Sequence, residues 1–218
     1  EWLEFQGYIP RGSLHNQVPT PTQPTYSDIK EISKEDIEKL IAATSLDSIR
    51  NHFLGLRDRT ILYTFIYTGI RRGELLGLRI QDVDLENKTL YIAPKTSKSK
   101  KGRNIPINQI LYLELRKYMK QLYRRKTTCG SLFISLNQDA GLTNHGMKWW
   151  VKKYVEKTGV QFSMHSLRHT FACSLAKQNA DIVSIKCALG HSSILMTERY
   201  LRSIGSENSR VYIDKLLF

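Results

Sequence analysis

SMHSLRHTFACSLAKQNADIVSIKCALGHSSILMTERY, residues 163–200, carries three helical patterns in a row. Ser163 is placed to cap the first, so His165 and Arg168 fall near a helix start. Residues three apart share a helix face, so both side chains can point at one ligand. A helix N-terminus also presents free N–H groups and the positive end of a dipole, which suits an anion. Leu167, Phe171 and Leu175 repeat every four residues and predict a face turned to a core. A second helix is expected over Asp181 to Leu189, stopped by Gly190, a residue suited to the left-handed position after a helix. His191 follows in that turn. Ser192 or Ser193 then caps a third short helix with Tyr200 in its last turn.

The 218 residues suffice for one large or two small domains with a real core, and 41% of them are hydrophobic. Lys and Arg number 33 against 20 Asp and Glu, a formal charge of +13 with a pI near 9.7. That balance points to nucleic acid or an anionic membrane surface. No apolar run approaches the roughly 20 residues that span a bilayer, and neither a membrane span nor a secretory leader is expected. Cys129, Cys173 and Cys187 are odd in number and lack metal-ligand spacing, so reduced cytosolic thiols are expected, with Cys173 and Cys187 as buried small apolar residues.

Residues 1–30 read as a connector, with Pro19, Pro21 and Pro24 among Thr and Gln. Pro10-Arg11-Gly12-Ser13 resembles a vector-derived protease-site remnant. The folded part begins at Ser33-x-x-Asp36, which resembles a capping box. A helix from His52 to Thr68 should stop at Gly69, with Leu56, Leu62, Phe65 and Ile66 inward. Arg71 and Glu74 then lie three apart at the start of another helix. Three short strands fit Ile80–Val83, Thr89–Ala93 and Arg103–Ile107, with Asn87-Lys88 as a turn. The loop between the last two holds Lys95, Lys98, Lys100 and Lys101. Helices follow from Asn108 to Arg125 and from Thr143 to Thr158. The second carries Lys148, Lys152 and Lys153 beside Trp149 and Trp150, one of which should enter the core. The expected class is α+β, mainly α-helical with a small three-stranded antiparallel β-sheet.

Four segments in order give the chain a family likeness. They are Thr68-Gly-Ile-Arg71-Arg-Gly-Glu74-Leu75, Lys95 with the basic turn leading to Arg103-Asn-Ile-Pro106, His165-Ser-Leu-Arg168-His-Thr-Phe, and Leu189-Gly-His191 followed by Thr197-Glu-Arg-Tyr200. Over residues 31–205 the chain resembles the catalytic domain of a tyrosine recombinase of the phage integrase family.

The resemblance implies a site-specific recombinase, of integrase or excisionase type, that cuts and rejoins DNA through a 3′-phosphotyrosine intermediate. Tyrosine ionises near pH 10 and is a poor nucleophile until a base or a polarised phosphorus helps it. Arginine forks match the non-bridging oxygens of the transition state, and a preorganised donor contributes about 3 kcal/mol. On this pattern Arg71 and Arg168 clamp the scissile phosphate, His191 is a third donor and Tyr200 the nucleophile. His165 is the general base or proton relay. Lys95 is the general acid, with Lys98 or Lys100 as alternatives. Glu74 orients an arginine or His165. Lys98, Lys100, Lys101, Arg103, Lys148, Lys152 and Lys153 are expected on DNA phosphates.

Neither metal nor cofactor is implied. His165 and His169 at i, i+4 lack the Glu of a zinc H-E-x-x-H motif. The partner implied is double-stranded DNA at an attachment or recombination site, bound by a homotetramer that is monomeric without DNA. DNA-bending accessory proteins and a cytoplasmic, nucleoid-associated place in a prokaryote or a phage or other mobile element go with it. Residues 1–30 would then be the linker or end of an N-terminal core-binding domain. Residues 206–218 would be a tail helix docking on a neighbouring protomer or in cis. A type-IB-like topoisomerase and a non-catalytic DNA-binding relative are the alternatives.

Overall fold

The computed structural model describes residues 30–96, 102–136 and 138–201, with residues 6 and 8; the side chains of 50 and 199–201 fall outside the description. The connector apart from residues 6, 8 and 30, together with Lys98, Lys100, Lys101 and the 206–218 tail, therefore lies outside the described residues.

Helix α1 (Lys34–Arg50) starts where Ser33 Oγ accepts from Asp36 N at 3.1 Å. Asn51 ends it and caps α2 (His52–Thr68), its side chain accepting from Leu54 N at 3.0 Å. Helix α2 is the central rod and packs against α1 and two later helices, α4 (Gln109–Arg124) and α6 (Met164–Lys177). Leu56, Ile61, Leu62 and Phe65 are buried along it. So are Thr60, Thr64 and Thr68, whose hydroxyls donate to the carbonyls of Leu56, Thr60 and Thr64 at 2.7, 2.7 and 2.5 Å. That back-bonding satisfies polar groups with no water in reach.

Helix α2 ends at Gly69, in the left-handed region with φ +57°. A Cβ there would come within 2.3 Å of the Phe171 ring, so both conformation and space require glycine. The chain turns into α3 (Arg72–Gly77). Strands β1 (Val83–Asp84), β2 (Thr89–Ile92) and β3 (Arg103–Pro106) form an antiparallel sheet in the order β1-β2-β3, with Ile92 opposite Arg103. Leu90, Ile92 and Ile105 turn inward while Tyr91 is exposed. The strand expected at Ile80–Val83 is shorter. Ile80–Asp82 is a 3-10 turn, because the Asp82 carboxylate accepts from Arg79 N at 2.8 Å and closes the chain on itself. Of the expected strand only Val83, with the following Asp84, pairs with β2.

Asn108 caps α4, which turns Leu111, Leu115, Tyr118 and Leu122 inward. Thr143 caps α5 (Asn144–Thr158), which buries Met147, Trp150 and Tyr154. The Trp150 ring lies 5.5–6.4 Å from those of Phe65, Tyr154 and Phe162, whereas Trp149 stays exposed. Helices α7 (Ile182–Leu189) and α8 (Ile194–Leu201) follow and complete the order among the described residues. Ala172 of α6 packs with Ile185 and Leu189 of α7 in a small second core that fixes where α7 ends. Cys173 is buried as expected, but Cys187 is exposed. Ile185 and Leu189 hold the inward stripe of α7, and Cys187, two residues from each, faces away.

A buried ion cluster ties α1, α2 and α5 together and corrects one sequence-based expectation. Lys153 Nζ lies 2.6 Å from Asp47 and 3.0 Å from Asp58, and its side chain is only 10% exposed. Tyr154 donates to both carboxylates, Lys157 also pairs with Asp47, and Arg57 pairs with Asp58 at 2.8 Å. Burial alone would raise the Asp47 pKa. The bonds from Lys153, Lys157 and Tyr154 overcome it and hold the group at about 2. Lys153 is thus an interior cation and not a phosphate contact.

Candidate active site

Three helix ends meet at one place and bring basic side chains with them. Helix α7 closes in a Schellman arrangement, with Gly190 N donating to Cys187 O at 3.0 Å and His191 N to Lys186 O at 3.1 Å. Gly190 adopts φ +62°, and the turn fixes the backbone of His191. The carbonyls left over at this end and at the end of α2 are taken by arginines. Arg168 donates to Gly69 O at 2.6 Å and to Leu189 O at 2.7 Å, and Arg71 donates to Gly190 O at 3.1 Å. The negative ends of two helices thus hold two guanidiniums in place. Arg168 is 3% exposed, and the Arg71 side chain is 23% exposed.

Glu74, 1% exposed, braces the other side of Arg71. Its carboxylate accepts from Arg71 Nη1 and from Arg71 N, both at 3.0 Å. It also takes a two-pronged bond from Arg103, at 2.9 Å to each oxygen. Glu74 therefore holds both Arg71 and Arg103. Burial pushes its pKa up, but the hydrogen bonds from Arg103 and Arg71 outweigh this and leave it below the usual value. Arg103, expected among the DNA contacts, is turned inward to this carboxylate because a buried anion lies within reach of β3.

His191 is buried, and its Nδ1 lies 2.9 Å from Thr197 Oγ1, itself fully buried on α8. Burial, then the charges of Arg168, Arg71 and Arg103, depress its pKa to about 3, so the ring is neutral at pH 7. His165 is half-buried. Its pKa is lowered by burial, then by Arg168, His169 and Arg71, so it too is neutral there. The charges of Arg168 and Arg71 act on both rings, and His165 also acts on His191.

The other expected residues stand around it. Lys95 is exposed on the turn after β2. Thr96 in that turn packs on Gly77 of α3, where a Cβ would fall 2.1 Å from Thr96 Cγ2. Tyr200 lies in α8, and its side chain is outside the description. Lys148 and Lys152 are exposed on α5, the latter 3.7 Å from Glu156. Among the described residues no three His, Cys, Asp or Glu side chains are grouped to hold a metal ion. His169 Nε2 lies 3.4 Å from Cys173 Sγ. Also among the described residues, no helix is long and apolar enough to cross a membrane. Sequence reasoning gave Thr197 no role of its own; its only signal was its place six residues after His191 and three before Tyr200.

This order of elements and the clustered arginines invite comparison with known proteins. The sequence pattern of the Phage integrase family matches residues 30–206. The chain belongs to the phage integrase family. Tyrosine recombinase XerC of Oceanobacillus iheyensis is 31% identical over 208 residues, covering 91% of this chain and 64% of that protein. Tyrosine recombinase XerA of Pyrococcus furiosus is 33% identical over 175 residues, covering 79% of this chain and 57% of its own length. The chain spans about three-fifths of the length of these curated relatives. A crystal structure of XerA recombinase matches this phage integrase family member with a TM-score of 0.73 at 28% identity, over 87% of this chain and 66% of that one. The XerH site-specific recombinase bound to palindromic difH substrate matches with a TM-score of 0.69 over 84% of this chain and 52% of that one. At 23% identity that second likeness speaks for the fold alone.

Proposed function

We propose that the chain is the catalytic part of a site-specific DNA recombinase working through a 3′-phosphotyrosine at Tyr200. The observation that carries this reading is the pair of guanidiniums on consecutive carbonyls. Arg168 on Leu189 O and Arg71 on Gly190 O are held side by side at the turn that presents His191. Helix α8, which bears Tyr200, begins three residues later.

In this mechanism Arg71, Arg168 and His191 bind the non-bridging oxygens of the scissile phosphate. They are aligned before the substrate arrives, so little reorganisation is needed as charge develops. His165, neutral by burial and by its cationic neighbours, accepts the Tyr200 proton or relays it. The Tyr200 oxygen attacks phosphorus, the phosphotyrosine bond forms and the bond to the 5′-oxygen breaks. Lys95 supplies the proton to that oxygen. A 5′-hydroxyl from a partner strand then attacks the phosphotyrosine and the same steps run in reverse. The bond energy is conserved throughout, so the scheme draws on no nucleotide cofactor. Lys148 and Lys152, with Lys98, Lys100 and Lys101, would follow the duplex backbone. The working unit is a homotetramer on two duplexes, with a monomer in the absence of DNA and room for DNA-bending partners. The setting is the cytoplasm of a prokaryote, in association with its chromosome or a mobile element.

The test is covalent capture without metal. Nicked duplexes cut from the genome that encodes the chain are incubated with the protein and run on denaturing gels. The unaltered chain should yield a DNA-shifted band and Tyr200→Phe none, with DNA binding within a few fold of each other. Bands of equal strength in both would overturn the assignment of Tyr200. Relaxation of plasmids without a defined site would favour a topoisomerase instead.

A further inference from the structure

The recombinase reading, on which the role inferred for Arg103 rests, assigns that residue no task of its own. It lies on β3, its fork is engaged by Glu74, and its side chain is 13% exposed. It also forms the floor of the His191 turn. A Cβ on Gly190 would come within 2.7 Å of the Arg103 Cζ and Nη1 atoms. Arg103, Glu74, Arg71 and Gly190 therefore make a closed ring, joined by two ion pairs, one hydrogen bond to a carbonyl and one close packing contact.

The charges in this ring decide what Arg103 does. Glu74 is buried and accepts four hydrogen bonds, two from Arg71 and two from Arg103. With Arg168 there are three guanidiniums against one carboxylate, and both histidines are neutral. The site thus keeps two positive charges in excess, which suits a phosphate whose charge grows as the transition state forms. Without Arg103 the carboxylate would have only Arg71 as its cationic partner. At short range and low dielectric, that pairing would cancel much of the pull of Arg71 on a phosphate oxygen.

We propose that Arg103 is a positioning residue. It satisfies Glu74 with its own fork, so that the carboxylate braces Arg71 without neutralising it, and it supports the turn that carries His191. Arg103 in this role touches no substrate atom; it acts through Glu74 and Gly190.

The test uses a duplex already captured by the unaltered chain, and compares rates of covalent-complex formation in single turnover. DNA affinity and melting temperature are measured on the same samples. Arg103→Ala should bind that duplex within about threefold yet react about a hundredfold more slowly, comparable to losing one oxyanion donor. Arg103→Lys, which keeps the charge but not the fork, should fall between, and it serves if the alanine variant does not fold. The distinguishing variant is Arg103→Ala with Glu74→Gln. Removing the stranded carboxylate should restore about tenfold of the lost rate, because Arg71 regains its charge. A double variant as slow as Arg103→Ala, or slower, would overturn charge balancing, since a purely structural role gives no rescue. Wild-type rates in Arg103→Ala would overturn the inference alone. No covalent complex from the unaltered chain on any duplex would overturn the recombinase reading and the inference with it.

Discussion

His191 shows how a single side chain is tuned by what surrounds it. Its ring is buried, faces three arginines and is oriented by Thr197, which sits in the first turn after Ile194. Thr197→Val keeps the shape and removes the hydroxyl. The expected result is a fall of about 10–100-fold in covalent-complex formation with DNA binding unchanged, because a misplaced donor loses its alignment. Unchanged single-turnover rates would show that the hydroxyl has no positioning role. The depressed histidines also set an acid limit on stability. His165, His169 and His191 all have folded pKa values below the unfolded value near 6.5. The unfolded chain therefore binds more protons below that pH. Stability is fully present above it and is lost as pH falls from about 6.5 towards 3, the folded value of His191. Asp47 adds to the loss only below its ordinary value of 3.8. The urea midpoint should drop between pH 7.5 and 5, and drop less in His191→Gln. An equal drop in both would remove His191 from the explanation.

At the scale of elements, helix ends were legible and charge partners were not. His52 to Thr68 could be bounded from sequence because Gly69 supplies a left-handed stop, and Gly190 ended α7 for the same reason. Ser163 caps as expected, and Asn108 and Thr143, expected as first helical residues, prove to be the caps. The 3-10 turn at Ile80–Asp82 was hidden, since Ile80 and Val83 read as the apolar ends of a short strand and only the Asp82 bond to Arg79 closes it. Lys153 looks like its neighbours Lys148 and Lys152 in sequence. Its partner Asp58 is 95 residues away, and nothing local announces it. Arg103 and Glu74 are likewise 29 residues apart. These placements separate the α5 lysines by function. Lys153→Met should cost about 3–5 kcal/mol in urea unfolding, because it removes the buried cation that Asp47 and Asp58 share. Lys148→Ala and Lys152→Ala should leave stability within about 0.5 kcal/mol. If they touch phosphates, each should lower the slope of log affinity against log salt by about 1. The opposite assignment of effects would contradict the burial pattern.

For the whole molecule, the mainly helical class, the small sheet and the gathering of Arg71, His165, Arg168 and His191 could all be expected from four short segments in order. The gathering follows because the segments that carry these four residues sit at helix ends, and the packing of α2, α6 and α7 brings those ends together. Less legible was how the site is balanced. Glu74 sits between two arginines, and two helix ends hold the clamp, arrangements that exist only once the chain has folded. The formal charge of +13 fits a DNA partner but says nothing of chemistry. The proposed chemistry rests on Tyr200, and its most direct test is the chemical nature of the captured adduct. Protease digestion and mass spectrometry of the trapped complex should find nucleotide on the peptide containing Tyr200, joined through a 3′-phosphate. The released strand should carry a 5′-hydroxyl that polynucleotide kinase labels without prior phosphatase. A nucleotide on another residue, or a 5′-phosphate on the released strand, would contradict the account.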